Sequence, residues 1–116
     1  MANISVVGRI VSDDIELKIS ANNRPYLRFD LAERTGKGAY ARTQYYQVVA
    51  FGAIASQFAK RGLCRGALIS VEGTLELEDY LKRDGWTRDK RLKVIALRWR
   101  YLQPYDTKVP EQVPEI

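Results

Sequence analysis

The segment Thr43-Gln44-Tyr45-Tyr46-Gln47-Val48-Val49-Ala50-Phe51-Gly52 narrows the folding choices of this chain most. It is rich in aromatic and β-branched residues, which suit a pleated, half-buried surface. Successive side chains of a strand point to opposite faces. Tyr45, Gln47, Val49 and Phe51 therefore share one face, and Tyr46, Val48 and Ala50 share the other. One face can enter a core. The other still presents two aromatic rings with a polar Gln between them. Rings left exposed on a sheet call for something that stacks on them. Unpaired nucleic-acid bases fit, because every base has a flat π-face. Burial of both faces in a sandwich core is the competing reading. The flanking chain has to decide.

Those flanks continue the two-residue alternation. Residues 3–11 predict a first strand, with Ile4, Val6 and Ile10 on one side. Gly8 inside it signals a bend, a bulge or a close backbone approach. Ser12-Asp13-Asp14 is a turn signal. Ile15, Leu17 and Ile19 alternate with Glu16 and Lys18, which predicts a short continuation strand. After a turn at Ala21-Asn22-Asn23, a strand is predicted over 26–33, where Leu27, Phe29 and Leu31 alternate with Arg28 and Asp30. A glycine-containing loop over 34–42 leads into the opening segment.

Only residues 53–61 have helical spacing, with Ile54 and Phe58 four apart. Lys60 and Arg61 suit the negative C-terminal end of that helix, and Gly62 suits its stop. Residues 67–80 predict a long strand interrupted at Gly73. Lys82-Arg83-Asp84-Gly85 predicts a hairpin turn, and 86–102 the return strand. Pro104, Pro110 and Pro114 then end the pattern. The expected organisation is one domain over 1–102 and a short Pro-containing tail over 103–116. The fold class is all-β: a five-stranded Greek-key OB-fold barrel with one short helix between strands 3 and 4. Such barrels bind oligonucleotides on the face of strands 2 and 3 and with the loops between strands 1 and 2 and strands 4 and 5. A β-sandwich without ligand is the alternative.

Composition limits the chemistry. Histidine is absent, which removes the commonest general base and metal ligand. Cys64 is the sole cysteine, so there is no internal disulfide and no Cys/His cluster for zinc. Neither an enzyme activity nor a cofactor is expected. No apolar run can span a bilayer, and Met1-Ala2-Asn3-Ile4-Ser5 does not look like a signal peptide. A cytoplasmic location is expected. The net charge of +5 fits a polyanionic partner.

Several motifs, in order, resemble bacterial single-stranded DNA-binding proteins. They are Val7-Gly8-Arg9-Ile10 followed by Asp13-Asp14-Ile15-Glu16-Leu17, then Phe29-Asp30-Leu31-Ala32, Val48-Val49-Ala50-Phe51-Gly52, Val71-Glu72-Gly73-Thr74-Leu75, and Val94-Ile95-Ala96 leading to Leu102. The resemblance implies an OB-fold, a homotetramer, and binding of single-stranded DNA without sequence preference or catalysis. It maps the family's base-stacking rings onto Tyr45, Phe51 and Tyr80; many members carry Trp where Tyr45 and Tyr80 stand. A further family Trp, in the loop after the second strand, corresponds to Tyr40. The family's acidic tip, which recruits replication and repair proteins, is absent: this sequence ends Val113-Pro114-Glu115-Ile116.

Trp86 directly follows the hairpin turn and can either stack on a base or cover the barrel rim. Trp99 shares its expected strand face with Ile95, Leu97 and Tyr101, which points to core or a subunit contact. Lys82, Arg83, Arg88, Lys90 and Arg91 cluster in the hairpin and are candidate phosphate contacts, with a solvated charge run as the alternative. Arg28, Arg34, Lys37 and Arg42 extend that field. Glu72, Glu76, Glu78 and Asp79 are expected to stay solvent-exposed or to pair across to the basic return strand, rather than to do acid–base chemistry. The runner-up function is an OB-fold replication accessory module resembling primosomal protein PriB, which holds other proteins near DNA.

Overall fold

A computed structural model describes residues 2–103, with the side chain of Gln103 excepted; the tail expected from the prolines lies outside these residues. The elements are β1 (Ala2–Ile10), β2 (Lys18–Ile19), β3 (Pro25–Thr35), β4 (Arg42–Phe51), α1 (Gly52–Lys60), β5 (Leu68–Leu81) and β6 (Arg88–Gln103). A single 3₁₀ turn, Gly38–Tyr40, precedes β4.

Five strands close into a ring in the order β1-β5-β6-β4-β3 and back to β1, and the two-residue β2 lies on the edge of β3. The pairings are antiparallel except β4 with β6, which run parallel. This is the OB-fold barrel, with its helix between the third and fourth of the five barrel strands. Closure depends on β1 serving two partners. Ala2 to Arg9 pair with β5, while Arg9 and Ile10 also pair with β3. Gly8 sits at this changeover, where an added Cβ would press on the carbonyl of Ala32. The close backbone approach expected at Gly8 is therefore present.

The face question raised by β4 is resolved by burial. Tyr46, Val48 and Ala50 point into the core with Val6, Leu27, Phe29 and Val71, while Tyr45 is 46% exposed. Helix α1 plugs one end of the barrel. Its buried Phe58 meets Phe29 edge-on at 5.3 Å and stacks on Trp99 at 4.4 Å. Gly62, at φ 64°, follows the helix in the left-handed conformation expected of its stop.

Two expectations are corrected. The predicted strand over 15–19 is reduced to Lys18–Ile19. The chain before it is tied to β3 locally: the Val11 amide donates to the Asp30 carbonyl, and the Asp30 amide donates to Ser12 Oγ at 2.8 Å. Ile15 packs on the core, but Leu17 and Ile19 stay exposed. The second correction concerns Trp99. A bulge in β6 leaves Leu97 without a partner between Arg98, which faces Glu72, and Ala96, which faces Gly73. One extra residue reverses the inward parity of everything beyond it. Trp99 and Tyr101 thus join Val94 and Ala96 in packing inward, and Leu97 turns out to solvent at 58% exposure. Gly73 makes room for this: an added Cβ would collide with the Ile95 carbonyl.

Tyr46 joins the core to its polar rim. Its hydroxyl donates to Glu33 Oε1 at 2.9 Å. Burial, then the hydrogen bond to Glu33 and its charge, push the Tyr46 phenol up to about 12 from its ordinary 10.0. The fold thus favours the neutral phenol. That contribution is whole below pH about 10 and is lost as pH rises through about 12. Tyr46→Phe should cost about 1 kcal/mol at neutral pH and flatten the fall in stability across this window. Urea unfolding of both proteins from pH 7 upward measures the difference.

Candidate nucleic-acid interface

Strand register assembles one outer surface from four strands. On β3 and β4, Tyr26 faces Phe51, Arg28 faces Val49, and Asp30 faces Gln47. The parallel pairing with β6 sets Lys93 beside Gln47 and Ile95 beside Val49. On β5, Glu76 faces Lys93 and Glu78 faces Arg91. Tyr45 and Tyr80 fall on the same outward parity, both toward the end of the surface away from Phe51. Side chains alternate between inside and outside along a strand, so β3, β4, β5 and β6 supply core residues on one side and this face on the other.

Three rings predicted as stacking platforms are on it: Tyr45, Phe51 and Tyr80. Two neighbours that the sequence reading missed complete the Phe51 end. Tyr26 lies 6.5 Å from Phe51 between ring centroids, and the Arg24 guanidinium sits over the Phe51 ring at 5.3 Å. Tyr26 was detectable as the residue two before Arg28; Arg24 was not, because only the β3–β4 register brings it to Phe51. At the other end, the Arg91 guanidinium lies over the Tyr80 ring at 4.4 Å.

Tyr40 and Trp86 are set apart. Tyr40 stands in the 3₁₀ turn of the β3–β4 loop, 83% exposed, and Trp86 at the tip of the β5–β6 hairpin, 81% exposed. The tip is ordered by Asp84, which accepts from the amides of Trp86 and Thr87 at 2.9 and 2.8 Å and from the Thr87 hydroxyl. These bonds, the Thr87 hydroxyl first, hold the Asp84 carboxyl below the usual range.

The predicted phosphate contacts divide in two. Lys82 pairs with Asp89 at 3.5 Å, Lys90 with Asp79 at 3.1 Å, and Arg91 with Glu78 at 2.9 Å. Lys93 also reaches Glu78, at 3.4 Å. The cross-strand pairing expected of Glu78 and Asp79 is present, as is that of Glu72, which meets Arg98 at 3.2 Å. Arg83 and Arg88 make no ion pair among the described residues. Arg28 and Arg34 have the outer parity of β3; Arg42 has the parity of Tyr46 and Lys37 lies in the loop, so neither belongs to this face.

Carboxylates also occupy the surface. Burial raises the Asp30 carboxyl, against the opposing pull of Arg91 and Arg28. Burial pushes Glu78 up as well, but the bonds and charges from Arg91 and Lys93 together outweigh it and hold that carboxyl below the usual range. The arrangement can stack flat rings and offer cations at both ends. Among the described residues, no cluster of three or more Cys, Asp or Glu could hold a metal ion, and no helix is long and apolar enough to cross a membrane.

No curated protein sequence matches this chain. Solved structures do. The crystal structure of a small single-stranded DNA-binding protein from Streptomyces coelicolor superposes with a TM-score of 0.73 at 21% identity, covering 86% of this chain and 93% of the other. That of the mitochondrial single-stranded DNA-binding protein of S. cerevisiae gives 0.64 at 24% identity, covering 90% and 97%. These likenesses show a shared fold. The Single-strand binding protein family matches over residues 1–102, nearly the whole described chain, and the protein belongs to that family.

Proposed function

We propose that this chain binds single-stranded DNA without sequence preference, protecting it during replication, recombination or repair. The observation that carries the reading is the outer β3–β4 face. It carries Tyr45 and Phe51, and the adjoining outer side of β5 carries Tyr80, on the surface that OB-folds use for oligonucleotides. Bases stack on these rings, with Tyr26 extending the Phe51 end, and the sequence tolerance follows because every base has a π-face. Phosphates run along Arg24, Arg28 and Arg34 and along the hairpin cations, of which Arg83 and Arg88 make no ion pair among the described residues. Tyr40 and Trp86 are placed to meet a strand that leaves the face over the loops. No bond is made or broken, and no cofactor is needed. The binding domain spans 1–102, with the tail over 103–116 outside it. The protein works in the cytoplasm at the nucleoid. Both solved neighbours are described as single-stranded DNA-binding proteins, which supports the reading.

We also propose a homotetramer. Closed symmetric assemblies are the norm for soluble oligomers, and Val7 leaves apolar surface exposed on β1, outside the four strands of the stacking face. Sedimentation equilibrium at micromolar concentration should give four times the chain mass; a monomer alone refutes it.

Stacking predicts a separation of binding from stability. Truncating Tyr45 or Phe51 to Ala should cost roughly 1–3 kcal/mol of binding to a labelled oligothymidine with little change in melting. Tyr45→Leu, which keeps apolar area and removes only the flat ring, should also weaken binding. Trp99→Ala should do the opposite, lowering the melting temperature through loss of its stack on Phe58. If Tyr45→Leu binds like the parent, stacking on this ring is ruled out.

Counterion release supplies a second test. Binding to single strands shows a slope in log K against log salt of about −0.7 per phosphate neutralised. Reversing Arg83 and Arg88 to Glu should flatten it by about 0.7 for each phosphate left without its cation. An unchanged slope would reduce the hairpin to a solvated charge run.

A further inference from the structure

Glu78 stands at the centre of the β5–β6 part of the face, and its two oxygens are both taken. Oε1 accepts from Arg91 Nε at 2.9 Å, and Oε2 accepts from Lys93 Nζ at 3.4 Å. Arg91, held there, lies over Tyr80 at 4.4 Å from the ring centroid. A guanidinium is flat and stacks on an aromatic face as a base does. One face of the Tyr80 ring is therefore covered by Arg91, and both Arg91 and Lys93 are already satisfied by a carboxylate.

We propose that Glu78 is an internal competitor of the nucleic-acid phosphates, latching Arg91 across Tyr80 until an incoming strand draws Arg91 away. The proposal rests on the reading of this face as the single-stranded DNA surface. The exchange is isoelectric for Arg91, which trades one oxyanion for another. It is feasible because the pair is part-exposed, with 38% of the Arg91 and 33% of the Glu78 side chain accessible, and such pairs are weak. Two consequences follow. Tyr80 becomes available to a base only after Arg91 has moved, and Glu78 cancels one of the two positive charges that Arg91 and Lys93 bring to the groove. The latch thus limits affinity, which shortens residence on the strand and favours exchange. Asp30 is drawn to Arg91 as well but also faces Arg28, so Glu78 is the carboxylate whose removal frees the latch.

Glu78→Gln keeps the size of the side chain and removes its charge. Titrated with labelled oligothymidine at moderate salt, it should bind about 3-fold more tightly than the parent. Its slope in log K against log salt should steepen by about 0.7. Thermal melting run alongside confirms that the variant is folded, and Glu78→Ser, tested in parallel, should give a gain of the same sign. In the Arg91→Ala/Lys93→Ala background the gain from Glu78→Gln should vanish, because nothing remains to release. A gain that persists there would mean that Glu78 merely repels phosphate, and would overturn the latch. Weaker binding by Glu78→Gln would overturn it too, since Glu78 would then be positioning Arg91 for its contact. If the parent binds and Glu78→Gln binds equally well, only the latch fails. If the parent itself does not bind the oligonucleotide at low salt, the reading of the face fails and the latch with it.

Discussion

Closure of the barrel is the constraint on which the other features depend. It requires β1 to leave β5 and begin pairing with β3 within a residue or two. A strand that changes partner brings its backbone against a third strand. At Gly8 that approach is to the Ala32 carbonyl, and a side chain would hold the two apart. Once the ring is closed, every long strand has one inward and one outward face. The inner faces fill the barrel, and Phe58 of α1, edge-on to Phe29 and stacked on Trp99, seals one end. Among the described residues, no further layer covers the outer faces of β3, β4, β5 and β6. The candidate binding surface is the reverse side of the core.

That origin explains why charge and aromatic area are mixed as they are. Inward positions must be apolar, because burying an unpaired polar group is costly. Outward positions are free of that demand and carry rings, cations and carboxylates together. In the β5–β6 hairpin, antiparallel register sets an acidic strand against a basic one. Asp79 meets Lys90, and Glu78 meets Arg91 and Lys93. A cation counted from the sequence is therefore not the same as a cation available to phosphate. Arg83 and Arg88 make no ion pair among the described residues, whereas Arg91 is held between a carboxylate and a ring.

The sheet parity around Trp99 shows the limit of reading strands by alternation. The alternation in β4 is unbroken, and it assigned Tyr46, Val48 and Ala50 to one side and Tyr45 and Phe51 to the other, as found. In β6 the same rule placed Trp99 with Ile95 and Leu97. The bulge at Leu97 reverses it, and a bulge costs one residue without any residue type that announces it. Gly73 on the partner strand marks the place, but its meaning emerges only when the two strands are paired.

By itself, the sequence determined the elements that local chemistry dictates. The period-two pattern set the strands, the Ile54/Phe58 spacing set the helix, Gly62 ended it, and Asp84-Gly85 turned the hairpin. It also determined that Tyr45 and Phe51 lie together on one side of β4, since that follows from backbone geometry alone. Tertiary structure decided which residues from distant parts of the chain meet. Arg24 and Tyr26 reach Phe51 through the β3–β4 register, Arg91 covers Tyr80, and Glu78 claims both Arg91 and Lys93. Side-chain direction is a local property of the strand. Pairing between strands is fixed by the closed ring and its bulges, and no stretch of sequence carries that information alone.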